Sequence, residues 1–140
     1  MELRIRRFEK EKHLLPTIQV NDTYINMPIN PELSLTIPSN YPFVPPLLKV
    51  NGIYYIRYFD NKIKRFKTFM ERYHIQPYSC CLCCSSITGD KWTPCFGINE
   101  LMKEYYHYTH ILNLIVTTKM VLDKIELDDL IHSTIIQYLF

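Results

Sequence analysis

The chain has 140 residues, 47% of them hydrophobic, with three glycines, nine prolines and five cysteines. That composition describes one domain of mixed secondary structure and is too short for two; a chain of this length buries roughly two-thirds of its unfolded surface and needs no disulfide or metal staple. Sixteen Lys and Arg stand against fourteen Asp and Glu, a formal charge of +2, too balanced to point to nucleic acid or a membrane surface.

Four of the five cysteines, Cys80, Cys81, Cys83 and Cys84, fall in one short stretch, and Cys95 follows. A secreted disulfide framework would spread an even number of cysteines behind a signal peptide. Here the chain opens Met1-Glu2-Leu3-Arg4 and continues through alternating charges. No run reaches the roughly eighteen apolar residues of a membrane span. An intracellular protein with reduced thiols is expected, cytoplasmic or nuclear. Alanine is absent while Ile, Asn, Lys and Tyr abound, the bias of an A/T-rich genome such as that of a large DNA virus or a protist; a viral origin would place it in host cytoplasm.

In chain order, residues 2 to 15 alternate charge with Ile5, Phe8 and Leu15 near helical spacing, which predicts a short amphipathic helix with Arg4, Arg7, Lys10 and Lys12 outward. Thr17 to Val20, Thr23 to Met27 and Leu33 to Ile37 alternate with period two between Asn, Asp and Pro, the pattern of short strands whose brief connections force antiparallel pairing. Asn51-Gly52, between Leu47 to Val50 and Ile53 to Ile56, signals a hairpin, because both residues tolerate the positive φ of a tight turn. Residues 61 to 73 put Ile63, Phe66, Met70 and Tyr73 on one helical face. Gly97 caps a long helix from Ile98 to Leu122 whose apolar positions are Ile98, Leu101, Met102, Tyr105, Tyr108, Leu112, Ile115 and Met120. Asp123 to Ile125 is expected to break it before a last helix through Leu127, Leu130, Ile131 and Tyr138. The predicted class is α+β: an N-terminal helix, an antiparallel meander, an irregular Cys-bearing segment and two C-terminal helices.

Three motifs carry chemistry. Tyr41-Pro42-Phe43-Val44-Pro45-Pro46 cannot continue a sheet ladder and reads as a rigid exposed turn. His74-Ile75-Gln76 begins ten residues before Cys84, and Trp92-Thr93-Pro94 begins eight residues after it. In this order and spacing the chain resembles the ubiquitin-conjugating enzymes. That family carries Tyr-Pro-Phe-x-Pro-Pro, then His-Pro-Asn, an active cysteine ten residues beyond that histidine, and Trp-Ser-Pro eight residues past the cysteine. Cys84 to Trp92 also resembles the family's Cys-Leu-Asp-Ile-Leu-x-Asp-Lys-Trp.

The resemblance implies a single UBC-like domain over residues 1–140 with an insertion at about 50–73, since Leu47 to Tyr73 is much longer than the family's connection there. It implies that Cys84 accepts ubiquitin, or a ubiquitin-like protein, as a thioester from an activating enzyme and passes it to a substrate lysine or a ligase. Cysteine suits this relay because its thiolate is nucleophilic and its thioester stays activated toward amines. His74 and Gln76 are the counterparts of the family's His and Asn; Gln76 keeps the amide donor one methylene farther out. Ser86 stands where many members carry Asp, leaving Asp90 as the nearest acid. Phe43 and Pro94 are the implied ligase contacts, and Arg4, Arg7 and Lys10 the implied activating-enzyme contacts. Departures from His-Pro-Asn suit the alternative, an inactive UBC-like or RWD-like binding module. No cofactor is required. The cysteine pairs 80/83 and 81/84 have Cys-x-x-Cys spacing but overlap, and Cys95 and His74 could complete a ligand set, which leaves a metal-stapled interaction protein as a third, minor reading; the expectation is no metal, with Cys80, Cys81 and Cys83 packing around one reactive thiol. His107 and His110, the tyrosine run 105–108 and the basic residues 62–72 are read as solvated or packing faces.

Overall fold

A computed structural model describes residues 3–11, 19–20, 25–28, 32–77, 81–125 and 129–140. The class is mixed α+β. Helix α1 (Leu3–Glu11) precedes five short strands, β1 (Gln19–Val20), β2 (Ile25–Pro28), β3 (Leu33–Ile37), β4 (Leu47–Val50) and β5 (Ile53–Tyr54). They form one antiparallel meander in the order β1-β2-β3-β4-β5. Then come α2 (Tyr55–Lys64), α3 (Lys67–Arg72), the single turn α4 (Leu82–Ser85), α5 (Ile98–Lys124) and α6 (Asp129–Leu139). No helix among the described residues is long and apolar enough to cross a membrane. Residues 12–15 of the expected first helix, parts of the first two expected strands, and Cys80 lie outside the described residues.

Period two decides which strand residues enter the core. Leu33, Leu35 and Ile37 point inward from β3, and the register pairs Leu33 with Val50 and Leu35 with Leu48, which are buried too. Asn51 and Gly52 take φ of 52° and 78° and close the β4/β5 hairpin as expected.

The hairpin's second strand ends sooner than its sequence suggests. Tyr55 and Ile56, expected to extend β5, open α2. Their aromatic and β-branched character favours a strand, yet Tyr55, Ile56, Phe59 and Ile63 fall on one helical face and bury together. That face packs on α5, where the Phe59 ring lies 5.6 Å from Tyr105 and 5.8 Å from Tyr108. Burial of this stripe outweighs local propensity. The helix expected over 61–73 is therefore two helices, with Arg65 and Phe66 between them. Residues 50–73 supply part of the main core.

Helix α5 runs through Asp123 and Lys124, beyond the expected break. Its buried positions include Ile111 and Leu122, while Met120, expected inside, is 55% exposed. The 3.6-residue repeat links 108, 111, 115, 118 and 122, and Met120 lies off that line. A second cluster joins Tyr73, Ile75, Leu122 and Ile136, tying α3 to the end of α5 and to α6. There the Tyr73 hydroxyl lies 2.8 Å from His132 Nδ1.

Candidate functional site

The Pro-rich turn is only half exposed. Tyr41, Pro42 and Pro46 are buried, while Phe43 and Val44 face solvent, Phe43 at 65% exposure. The Trp92 indole donates to the Pro42 carbonyl at 2.8 Å. This bond clips the Trp92-Thr93-Pro94 loop to the turn, and both Phe43 and Pro94 stay exposed.

A carboxylate on α1 clasps the same region. Glu11 accepts from the Tyr41 hydroxyl at 2.5 Å and from the Ile98 amide at 3.4 Å, and its other oxygen pairs with Arg7 Nε at 2.5 Å. Arg7 reaches across to the Phe96 carbonyl. A Cβ at Gly97 would sit 2.5 Å from Glu11 Oε1 and would push the Glu11 and Arg7 side chains aside. Burial, aided by Glu11, pushes the Tyr41 hydroxyl well above its ordinary pKa. Arg7 is thus engaged within the chain, whereas Lys10 is exposed; the Arg4 side chain lies outside the described residues.

Cys84 sits in α4, which the buried Leu82 anchors. The cysteines expected to pack around it do not: Cys81, Cys83 and Cys84 are all exposed. With Leu82 turned inward, one helical turn carries its neighbours outward together. Cys81 Sγ lies 2.6 Å from Cys83 Sγ and 2.9 Å from Cys84 Sγ, and Cys83 and Cys84 are 3.9 Å apart. Hydrogen bonding to Cys83 and Cys84 lowers the Cys81 thiol to about 7. The same interactions hold the proton on Cys84, pushing its thiol up to about 12. In the cluster, Cys81 is the first to ionise. The sequence spacing selects Cys84, and the local hydrogen bonding selects its neighbour.

The loop after Cys84 is fixed by a residue that the sequence reading missed. Glu104 on α5 accepts from the hydroxyls of Tyr55 at 2.7 Å, Tyr108 at 2.8 Å and Ser86 at 3.2 Å, and from the Ile87 amide at 3.2 Å. Tyr54 bonds Thr88 beside them, and Thr88 lies 2.8 Å from Ser86. Ser86 is therefore buried as part of a structural network, and Asp90 is exposed. A signal for Glu104 existed: it lies three residues after Leu101 and four before Tyr108, so an acid falls on the apolar face of α5 and needs donors there.

His74 and Gln76 occupy a different place. The His74 amide donates to Glu71 O at 3.3 Å and the Ile75 amide to Met70 O at 2.9 Å. With His74 at φ 54°, this is a Schellman motif closing α3, with Ile75 buried beside Met70. Both His74 and Gln76 are exposed and line a cavity of about 320 Å³ with Ile63, Lys67 and Met70. Cys81 and Cys83 line another hollow, of about 220 Å³, with Tyr54, Ile56, Arg57 and Asp60. His107 and His110 are exposed on α5.

No family model, no characterised protein and no solved structure matches the chain.

Proposed function

We propose that the chain is a divergent ubiquitin-conjugating protein of UBC-like fold that accepts ubiquitin, or a ubiquitin-like protein, on Cys84. The observation carrying this reading is the 2.8 Å clip between Trp92 and Pro42. It joins the two loops that the family resemblance assigns to ligases, leaving Phe43 and Pro94 exposed as a pair, with Cys84 exposed at the start of the Trp92 loop. An aromatic fixed on a rigid turn is a natural interface anchor.

In the reaction, the Cys84 thiolate attacks the thioester carbonyl carbon on an activating enzyme, and the tetrahedral intermediate expels the activating enzyme's thiolate. A substrate amine, having lost a proton, then attacks the new thioester and releases the Cys84 thiolate. The Cys84 proton is given up to solvent, because the neighbouring Cys81 thiolate, belonging to the more acidic thiol, is too weak a base to hold it.

A second reading, an inactive UBC-like binding module, is favoured by two observations. Gln76 lines a cavity that no cysteine lines, and Cys84 holds its proton firmly. Both readings keep the Phe43 and Pro94 surface. They separate when the chain is incubated with activating enzyme, ubiquitin and ATP and run on a non-reducing gel. The enzyme reading predicts a thiol-labile adduct absent from Cys84→Ala; no adduct with any activating enzyme leaves the module.

A further inference from the structure

The three exposed sulfurs around α4 form a group for which thioester chemistry has no need, because transthiolation uses one acceptor. We infer that Cys81, Cys83 and Cys84 form a three-thiolate binding site for a thiophilic d10 cation, zinc in the first instance.

The donor set argues for it. All three Sγ atoms lie within 4.8 Å of one another, so a single ion can touch all of them. Zinc at about 2.3 Å from each sulfur sets tetrahedral sulfurs roughly 3.8 Å apart. Cys83 and Cys84 already stand at 3.9 Å. The two shorter separations, 2.6 and 2.9 Å, need Cys81 Sγ to move out by about 1 Å, which an exposed side chain can do by rotating about χ1. The backbone needs no change, because Cys83 and Cys84 are fixed by one helical turn and Cys81 caps it.

The charge balance also closes. Binding breaks three S–H bonds, forms three zinc–sulfur bonds and releases three protons to solvent, leaving a centre of net charge −1. Arg57, which lines the same hollow as Cys81 and Cys83, offsets that charge. Asp60 lines it too but pairs with Lys64 at 2.8 Å and lies outside the three-sulfur group, so water takes the fourth position. Cys95 lies outside the group.

The site stands independently of the thioester reading. Where both hold, the cation and the acyl group compete for the Cys84 sulfur.

The test is titration of the full chain with Co²⁺, reduced by a non-chelating phosphine, followed by displacement with Zn²⁺. One equivalent of cobalt is expected to raise thiolate-to-cobalt charge-transfer absorption, and zinc to abolish it. Cys81→Ser, Cys83→Ser and Cys84→Ser each weaken binding by more than about 100-fold, exceeding the loss typical of outer-shell partners, while Cys95→Ser leaves it unchanged. Circular dichroism of each variant checks that the fold is kept, and the wild-type stoichiometry needs no variant. Absence of saturable one-to-one binding overturns the site, as does undiminished binding in Cys81→Ser.

Discussion

Glu104→Gln is a near-isosteric change that removes one charge from the network under the loop following Cys84. The carboxylate accepts from three hydroxyls and one amide. Hydrogen bonds to a charged group contribute about 1.5–3 kcal/mol each and neutral ones about 0.5–1.5. In the glutamine variant, the amide NH₂ faces a hydroxyl that had been donating, so that hydroxyl must rotate or lose its partner, and the remaining bonds become neutral. Since the donors share one acceptor, their losses do not add, and the expected cost is about 2–4 kcal/mol. Urea unfolding followed by Trp92 fluorescence measures it as a lower midpoint at unchanged slope. Hydrogen exchange at the Ile87 amide should accelerate in step, because that amide bonds directly to Glu104. A loss below about 0.5 kcal/mol, within the range of ordinary surface substitutions, would refute the claim that Glu104 holds the loop.

Three further outcomes follow from the same structure. Tyr41 and Tyr55 have raised hydroxyl pKa values, chiefly by burial. The stability this contributes is full below their unfolded value of about 10 and is lost as pH rises above it. The urea midpoint should therefore fall above about pH 10, and less steeply in Tyr55→Phe; a flat midpoint through this range contradicts the burial argument. Iodoacetamide at neutral pH followed by peptide mass mapping should modify Cys81 ahead of Cys84, and Cys81→Ser should speed Cys84 by removing the partner that holds its proton; wild-type Cys84 reacting first would refute that ordering. His74→Gly should stabilise the fold by about 1 kcal/mol, since glycine takes positive φ without a Cβ penalty, and a net destabilisation would mean that the His74 side chain does more than end α3.

How much was legible depends on whether a residue's role is local. Asn51-Gly52 declares its turn through backbone freedom alone, and Leu33, Leu35 and Ile37 declare their face through period two. Tyr55 and Ile56 were misread because strand propensity is local, whereas the helix they open is selected by a partner, α5, distant in sequence. Ile111 and Met120 were confused because adjacent faces of a long helix are both apolar and only packing chooses between them. At the candidate site, spacing picks out Cys84 but is silent on exposure. Leu82, by turning inward, brings Cys81 and Cys83 out beside it and reverses the expectation that they pack. His74 and Gln76 looked catalytic by position in the chain, yet the turn that places them closes α3. Glu104 carried its signal as an acid on an apolar stripe, and its donors come from three separate segments.

Intact-protein mass spectrometry after incubation with activating enzyme, ubiquitin and ATP tests the central proposal most directly. The account predicts a one-ubiquitin adduct that hydroxylamine or thiol removes, present in wild type and in Cys95→Ala and absent in Cys84→Ala. An adduct that persists in Cys84→Ala, or none in the wild-type chain with any activating enzyme, would contradict it.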